Sequence, residues 1–101
     1  MPRRRIHEPH AGLATLEGLL GSKSRARLLT VFLTHPTEEF YAQRLTAVTR
    51  LAETSVRYEL RRLERLGLLT SRREGREKRY NFNDHHPLFP ELKRMVYKTA
   101  G

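Results

Sequence analysis

The sequence has no cysteine among its 101 residues. Disulfide bonds and thiolate-based metal or redox chemistry are therefore excluded, and the absence fits a reducing cell interior. No apolar run approaches the roughly 20 residues of a membrane span, and the stretch MPRRRIHEPH at residues 1–10 has no apolar region after its charges. We therefore expect no secretory signal, no membrane partner and a cytoplasmic location.

Acidic residues are scarce compared with basic ones. The chain has 20 Lys and Arg against 11 Asp and Glu, a formal net charge of +9. Residues 50–79 carry ten of the basic and five of the acidic residues, a net charge of +5 in thirty positions. A basic stretch of this kind is typical of nucleic-acid binding, although a solvated face that keeps the protein soluble gives the same excess.

Patterns for catalysis and metal binding are also missing. No glycine-rich phosphate loop follows a predicted strand, and no paired carboxylates or nucleophile with a nearby base stand out. His85, His86 and Glu91 lie close in the sequence, but His86 and Glu91 are five positions apart rather than the three or four that place ligands on one helix face. We expect no enzymatic activity, no metal site and no cofactor.

The segment ETSVRYELRRLERLGL, residues 53–68, has the strongest helical pattern. At 100° per residue one side collects Val56, Leu60, Leu63 and Leu66, an apolar stripe suited to a buried helix face. The other side offers groups that hydrogen-bond to phosphates and base edges, because the planar fork of arginine donates two parallel hydrogen bonds. We predict a DNA-recognition helix over about residues 53–67. The polar side consists of Thr54, Arg57, Tyr58, Arg61, Arg62 and Arg65.

Two helices are predicted before this one. The first, SKSRARLLTVFLTH, begins at a cap formed by Ser22 or Ser24, and Pro36 stops it at or before residue 35. A very short strand is predicted at residues 40–41. The second helix, within YAQRLTAVTRL, is expected to turn Leu45, Val48 and Leu51 inward.

A β-hairpin is predicted after the recognition helix. Gly67 is a suitable helix C-cap, and alternating patterns in residues 68–73 and 78–82 flank the turn 74–76. Arginines at a hairpin tip have little to pack against, so we expect solvent or a polyanion beside them. The basic residues assigned to the tip are Arg72, Arg73, Arg76, Lys78 and Arg79.

The two ends of the chain have different characters. Residues 1–11, with three consecutive arginines, are predicted to form a flexible basic arm, and residues 12–101 one domain. Short apolar helices are predicted at 12–20 and 88–99, joined to the rest by a linker at 83–87. Their apolar residues exceed what the edge of a small domain needs, so we expect a homodimer. The candidates for the dimer contact are Leu13, Leu16, Leu19, Leu20, Leu88, Leu92, Met95 and Val96.

The order helix, short strand, helix, recognition helix, hairpin and final helix is that of a winged helix-turn-helix, mainly α with a small β-hairpin (α+β). The segments GSKSRARLL, EEFY, VRYELRRLERLGLL, TSRREGREKRYNFN and HPLFPEL resemble small ArsR-like winged-helix regulators of prokaryotes, over roughly residues 19–99. The resemblance implies a dimeric, sequence-specific transcriptional regulator that binds double-stranded DNA. The cysteines of the classical metal-sensing members are absent.

Two positions depart from the pattern of these regulators. Glycine is usual in the turn where Arg50 stands, and serine or threonine caps the recognition helix where Ala52 stands. Either Arg50 adopts the turn conformation without the freedom of glycine, or the turn is rebuilt. Thr54 could restore the lost cap if the helix starts two residues later.

The predicted DNA contacts fall into three groups. Base or phosphate contacts in the major groove are assigned to Thr54, Ser55, Arg57, Tyr58 and Arg61, and phosphate contacts to Arg62 and Arg65. The wing, residues 70–82, is expected to contact the backbone or minor groove. At the start of the preceding helix, Gln43 and Arg44 are expected near a phosphate, which a helix N-terminus helps to bind. The wing contacts are assigned to Arg73, Arg76 and Lys78.

A second function remains open from the sequence. The winged helix could serve protein contact, as the partner subunit of a separate enzyme such as a nucleotidyltransferase, which some relatives carry or are encoded beside. Its basic face would then dock on an acidic surface. RNA binding is less favoured, because Tyr58 and Tyr80 are isolated and form no stacking platform among the basic residues.

Overall fold

The computed structural model describes residues 20–100, and the side chains of residues 20–98. Within this range the chain forms four helices and one two-stranded antiparallel sheet. The expected α+β fold class and order of elements are confirmed. The elements are α1 (Lys23–Thr34), α2 (Ala42–Thr49), α3 (Glu53–Arg65), β1 (Leu69–Glu74), β2 (Glu77–Phe82) and α4 (Phe89–Ala100).

Helix α1 has the start and stop that its sequence predicts. Of the two candidate caps it is Ser22 that caps the helix, with its side-chain oxygen accepting a hydrogen bond from the backbone N–H of Arg25 at 3.1 Å. The helix ends at Thr34, and the N–H of His35 donates to carbonyls of the last turn. The buried face of α1 is the centre of the core and consists of Ala26, Leu28, Leu29, Phe32 and Leu33.

Every other element contributes to the same core. Helix α3 packs its Val56, Leu60 and Leu63, all fully buried, on α1, as the apolar stripe predicts. Leu45 of α2 is also fully buried. The hairpin and the last helix close the core with Leu69, Tyr80, Phe82 and Val96.

Two residues that the helical pattern places inward lie on the surface. Val48 is 54% exposed and Leu66 is 56% exposed. The buried face of the short helix α2 is formed by Ala42, Leu45 and Thr49, and Val48 lies about 90° around the helix from the middle of that face. Leu66 follows the last residue of α3 and belongs to the turn. The inward placement of both was therefore wrong.

The turn between α2 and α3 keeps its shape without glycine. Arg50 has φ 60° and ψ 25°, the left-handed conformation, and its N–H donates to the Thr46 carbonyl at 2.9 Å. Of the two alternatives left by the sequence, Arg50 adopts the turn itself. Helix α3 begins at Glu53, and Ala52 forms no side-chain cap, so Thr54 does not restore the missing cap.

The turn after α3 is a Schellman motif. The N–H of Gly67 (φ 80°) donates to the Glu64 carbonyl at 2.9 Å, and the N–H of Leu68 donates to the Leu63 carbonyl at 3.0 Å. Both bonds satisfy carbonyl groups that the end of a helix leaves open. The predicted role of Gly67 is confirmed.

The hairpin of β1 and β2, residues 69–82, is called the wing below. Its register pairs Leu69 with Phe82 and Glu74 with Glu77, which leaves Gly75 (φ 62°) and residue 76 as a two-residue loop. The short strand predicted at residues 40–41 is a single bridge, in which Phe40 and Tyr80 exchange two backbone hydrogen bonds of 2.8 Å.

Helix α4 packs back on α1. The Phe89 ring lies 5.4 Å from the Phe82 ring, centroid to centroid, and Val96 is buried. Leu88 and Tyr97 stay about half exposed. None of the helices within residues 20–100 is long and apolar enough to cross a membrane.

Candidate nucleic-acid interface

Helix α3 separates its apolar and polar residues onto two faces. Arg57, Tyr58 and Arg61 are exposed, while Val56 and Leu60 on the opposite face are buried. The exposed face therefore presents guanidinium groups and a phenol to the surroundings of the protein. It also carries Thr54 and Arg65, which are exposed, and Ser55 and Arg62, which are partly buried.

Arg57 is held by its own helix. Its Nε donates to the Glu53 carboxylate, four residues earlier, at 2.7 Å, and both side chains are about half exposed. An exposed pair with this spacing contributes only about 0.3–0.5 kcal/mol. The pair therefore orients Arg57 along α3 without preventing it from turning to a stronger anion.

Lys78 of the wing is joined to the end of α3 through Glu64. The Lys78 Nζ lies 3.1 Å from one Glu64 oxygen, and the Ser71 hydroxyl donates to the other at 2.5 Å. The bond from Ser71, followed by that from Lys78, lowers the pKa of Glu64. In turn the hydrogen bond to Glu64 raises the pKa of Lys78. The contact joins the wing to the end of α3.

Two wing arginines expected to face solvent or a polyanion contact other side chains of the protein. Arg72 donates two hydrogen bonds to the Glu39 carboxylate, at 2.9 and 2.7 Å, and the bond lowers the pKa of Glu39. Arg79 stacks on the Tyr41 ring with its guanidinium carbon 5.4 Å from the ring centre, and its Nε lies beside the Glu74 carboxylate. The expectation was wrong for Arg79, which is 30% exposed, because Tyr41 supplies a packing partner. Arg72 is 55% exposed and keeps its contact with solvent beside Glu39.

The remaining wing arginines border a cleft of about 310 Å³. The cleft lies between the start of α2, helix α3 and the wing, and four basic side chains line it against one carboxylate, that of Glu77. Its positive lining suits a polyanion. Basic residues in the lining are Arg57, Arg73, Arg76 and Lys78, and the other lining residues are Tyr41, Ala42, Gln43, Glu77 and Tyr80.

The N-terminus of α2 opens into this cleft. The N–H of Leu45 donates to the Tyr41 carbonyl at 3.2 Å, so the N–H groups of residues 42–44 have no acceptor within the helix, as at the start of any helix. Tyr41 provides no side-chain cap. The positive end of the helix dipole therefore adds to the charge of the basic side chains.

The predicted contact residues thus fall into two sets. Gln43, Arg57, Arg73, Arg76 and Lys78 meet at the cleft. The remaining predicted contacts lie outside its lining: Arg44, Thr54, Ser55, Tyr58, Arg61, Arg62 and Arg65.

Arg44 and Arg62 each have a distinct environment. The guanidinium of Arg44 lies over the Phe40 ring, 5.0 Å from its centre, and 3.7 Å from Glu38. The Nε of Arg62 is buried and has no hydrogen-bond partner among the side chains and backbone of residues 20–98.

Five of the eight predicted dimer residues belong to the part of the chain that the structure describes. Leu13, Leu16 and Leu19 lie outside the described residues, as does the arm 1–11. Leu88 is 52% exposed. Leu20, Leu92 and Met95 are partly buried against the core, whereas Val96 lies inside it and supports α4 from within.

One buried charge on α3 was not predicted from the sequence. Glu59 is 5% exposed and pairs with Arg25 of α1. At 100° per residue Glu59 lies about 40° from Leu63 and about 20° from Leu66, between these two residues of the apolar stripe. The helical pattern therefore indicates that Glu59 is buried. It does not indicate the partner, Arg25, which is 34 positions away.

Comparison with known proteins gives the fold. A solved structure of reduced HlyU from Vibrio cholerae N16961 superposes with a TM-score of 0.60 and 21% sequence identity, over 88% of this chain and 85% of that chain. No protein-family model matches the sequence, and no curated protein does. At this identity the likeness is one of fold alone. The chain therefore has a winged-helix fold.

Proposed function

We propose that this protein is a transcriptional regulator that binds double-stranded DNA sequence-specifically, with α3 in the major groove and the wing on the backbone or minor groove. It acts as a homodimer in the cytoplasm. The observation that carries the proposal is the cleft where α3, the wing and the start of α2 meet, since four basic side chains from two elements converge there. A continuous positive surface of this kind suits the phosphates of a duplex.

Within this proposal each group of residues has a separate task. The exposed face of α3 reads base edges, because arginine and hydroxyl side chains donate and accept hydrogen bonds in the major groove. Arg62 and Arg65 near the end of α3 contact phosphates, as do Gln43 and Arg44 at the start of α2. The base readers are Thr54, Ser55, Arg57, Tyr58 and Arg61.

The wing supplies affinity more than sequence choice. Arg73 and Arg76 are exposed and stand next to Lys78 at the cleft. Contacts of such side chains with the backbone carry little sequence information but release counterions, so binding weakens with salt.

The homodimer would form through the helix predicted at residues 12–20 and through α4. Support comes from Leu88, just before α4, and Tyr97 in α4, which are about half exposed although most other large apolar residues within residues 20–98 are buried. Two copies of α3 related by a two-fold axis would enter successive major grooves about 34 Å apart. Leu13, Leu16, Leu19, Leu20, Leu92 and Met95 complete the proposed contact.

The test is selection of bound sequences from a pool of random duplex DNA at two salt concentrations, with the mass in solution measured in parallel. Enrichment of an inverted repeat with half-sites about one helical turn apart supports the proposal. Salt-sensitive binding without enrichment would leave a non-specific DNA-binding role. Absence of binding near physiological salt would contradict the proposal and favour a protein partner.

A further inference from the structure

A partly buried charged pair lies between α1 and α3, on the side of α3 that faces away from the proposed DNA surface. The Arg25 Nε donates to one Glu59 oxygen at 3.1 Å, and the Nη2 lies 3.4 Å from the other. The side chains are 20% and 6% exposed. The pair joins α1 to the middle of α3.

Arg25 has a third bond that leaves this pair. Its Nη1 donates to the backbone carbonyl of Leu20 at 2.6 Å. Leu20 is the last residue of the helix predicted at 12–20 for dimer contact. The guanidinium therefore links the chain that enters the domain to the inner face of α3.

The position of Arg25 is fixed by its backbone. The N–H of Arg25 donates to the capping hydroxyl of Ser22 at 3.1 Å, so the residue sits in the first turn of α1. The planar guanidinium presents its donors in a rigid fork. A shift of residue 20 relative to α1 would then strain or break the bonds that hold Glu59.

Glu59 is close to the proposed readers along α3. It follows Tyr58 and precedes Arg61 by two positions and Arg62 by three. Because α3 is a continuous helix over Glu53–Arg65, a rotation or tilt at Glu59 moves all of these side chains together.

Stability alone is a weak reason for this pair. Buried ion pairs lose much of their attraction to desolvation, and replacing both partners by apolar residues of similar size is often neutral or stabilising. Unlike an apolar contact, the hydrogen-bonded pair sets a direction and a distance between Leu20, α1 and α3.

We propose that Arg25 and Glu59 are positioning residues that couple the chain at Leu20 to the orientation of α3. A change in the segment before α1, such as formation of the dimer contact, would reach the DNA-reading face through this link. The part of the inference that concerns DNA rests on the proposed function. The part that concerns the placement of α3 does not.

The test uses amide hydrogen exchange of the full chain, resolved by segment, in the absence of DNA. The main variant is the double replacement Arg25→Met with Glu59→Leu, which keeps the core filled. The control is Thr30→Val, which removes a partly buried hydroxyl whose hydrogen bond stays within α1. The measured quantity is the exchange rate of residues 53–65 divided by that of residues 23–34, because a uniform loss of stability changes both rates alike.

In the double variant we expect this ratio to rise about tenfold, since local opening of α3 is no longer opposed by the link. Thr30→Val should leave it unchanged. An unchanged ratio in the double variant overturns the proposal, because the pair would then matter only for overall stability. If the double variant does not fold, Glu59→Gln gives the same readout, with a smaller rise expected and the same contradicting result.

A second measurement covers the DNA part. If the wild type binds a selected duplex, the double variant should bind it about tenfold more weakly while its binding to a scrambled duplex is unchanged. Equal binding of the selected duplex by both proteins would overturn the coupling to DNA. A wild type that binds no duplex would instead defeat the proposed function, and the exchange result would still decide whether the pair positions α3.

Discussion

The two ends of α3 are held by different means. The end near the wing has a Schellman motif with glycine at the left-handed position. This motif depends only on adjacent residues. The end near α2 has Arg50 in the left-handed conformation and Ala52 without a cap. This end therefore lacks both a glycine in the turn and a capping side chain. What holds this second end comes from elsewhere in the chain.

Thr49 supplies much of that support. It is 7% exposed, and its hydroxyl donates to the Leu45 carbonyl at 2.6 Å and accepts from the Leu51 N–H at 3.3 Å. Its backbone carbonyl accepts from Arg27 of α1 at 3.2 Å. One end of α3 therefore depends on adjacent residues and the other on contacts with α1 and α2.

The largest loss of unfolding free energy is expected from Thr49→Val. Valine keeps the shape but leaves the Leu51 N–H without its side-chain acceptor, which costs about 2 kcal/mol of unfolding free energy. Denaturant unfolding measures this. Thr46→Val is the matched control, because the Thr46 hydroxyl bonds only to the Ala42 carbonyl within its own helix, and its change should stay within about 0.5 kcal/mol. Equal losses in the two variants would refute the role of Thr49.

The next effect is expected at the other end, from Gly67→Ala. The new methyl carbon would lie 3.7 Å from the His86 ring, an ordinary contact, so the cost comes from φ 80°. A residue with a side chain pays about 1–2 kcal/mol in this conformation. Asparagine tolerates it better, so Gly67→Asn should lose less in the same unfolding experiment. A neutral Gly67→Ala would contradict the turn conformation.

Arg50→Gly is expected to raise the free energy of unfolding slightly. Glycine adopts φ 60° without strain, but it also loses more freedom on folding, so a net gain of about 0.5 kcal/mol remains. Arg61→Gly is the matched control, because Arg61 is exposed inside α3 and the same substitution inside a helix costs about 1 kcal/mol. Thermal unfolding of both variants measures the contrast. A loss at both positions would show that the Arg50 side chain contributes more than its backbone costs.

The smallest effect is expected from Glu64→Gln, which tests the link between α3 and the wing. The pKa of Glu64 lies below its ordinary 4.5 in the folded chain, so its contribution is present above the unfolded pKa and is lost as the pH falls through the folded one. The variant should therefore show a smaller difference in unfolding free energy between neutral and acidic pH. Denaturant unfolding at pH 6 and pH 3 measures it.

The control for this variant is Glu91→Gln, which removes one exposed carboxylate outside the contact, 3.8 Å from Arg94. If both variants lose the same fraction of the acid dependence, the contact of Glu64 with Ser71 and Lys78 has no special role.

The features that sequence predicted well are those decided by neighbouring residues. Ser22 caps α1, Gly67 ends α3 and the turn at Gly75 closes the wing, because each needs only its own side chain or backbone freedom. The helical period also separated the buried and exposed faces of α3. It failed at Val48, because the period gives a direction but not how wide the buried face of a short helix is.

The partners of charged residues could not be predicted in the same way. Arg72 pairs with Glu39, 33 positions away, and Arg25 with Glu59, 34 positions away. All three of Arg72, Arg73 and Arg76 are exposed, and nothing in the local sequence shows that Arg72 pairs with Glu39 whereas the other two line the cleft. The wing as a basic hairpin was therefore predictable, but which of its arginines remain available to a ligand was not.

The most direct test of the central claim is the affinity for a selected duplex and a scrambled one, measured across salt concentrations for the wild type and three variants. Arg61→Ala should weaken binding to the selected duplex by about tenfold and to the scrambled one much less, because it removes a base contact. Arg76→Ala should weaken both similarly and reduce the salt slope by about one, as expected for a lost phosphate contact.

Arg94→Ala removes the same charge from α4, where the side chain is 68% exposed, and should change neither affinity by a comparable factor. We expect this three-way pattern. Binding of the selected duplex by the Arg61 and Arg76 variants with the affinity and salt slope of the wild type would contradict it.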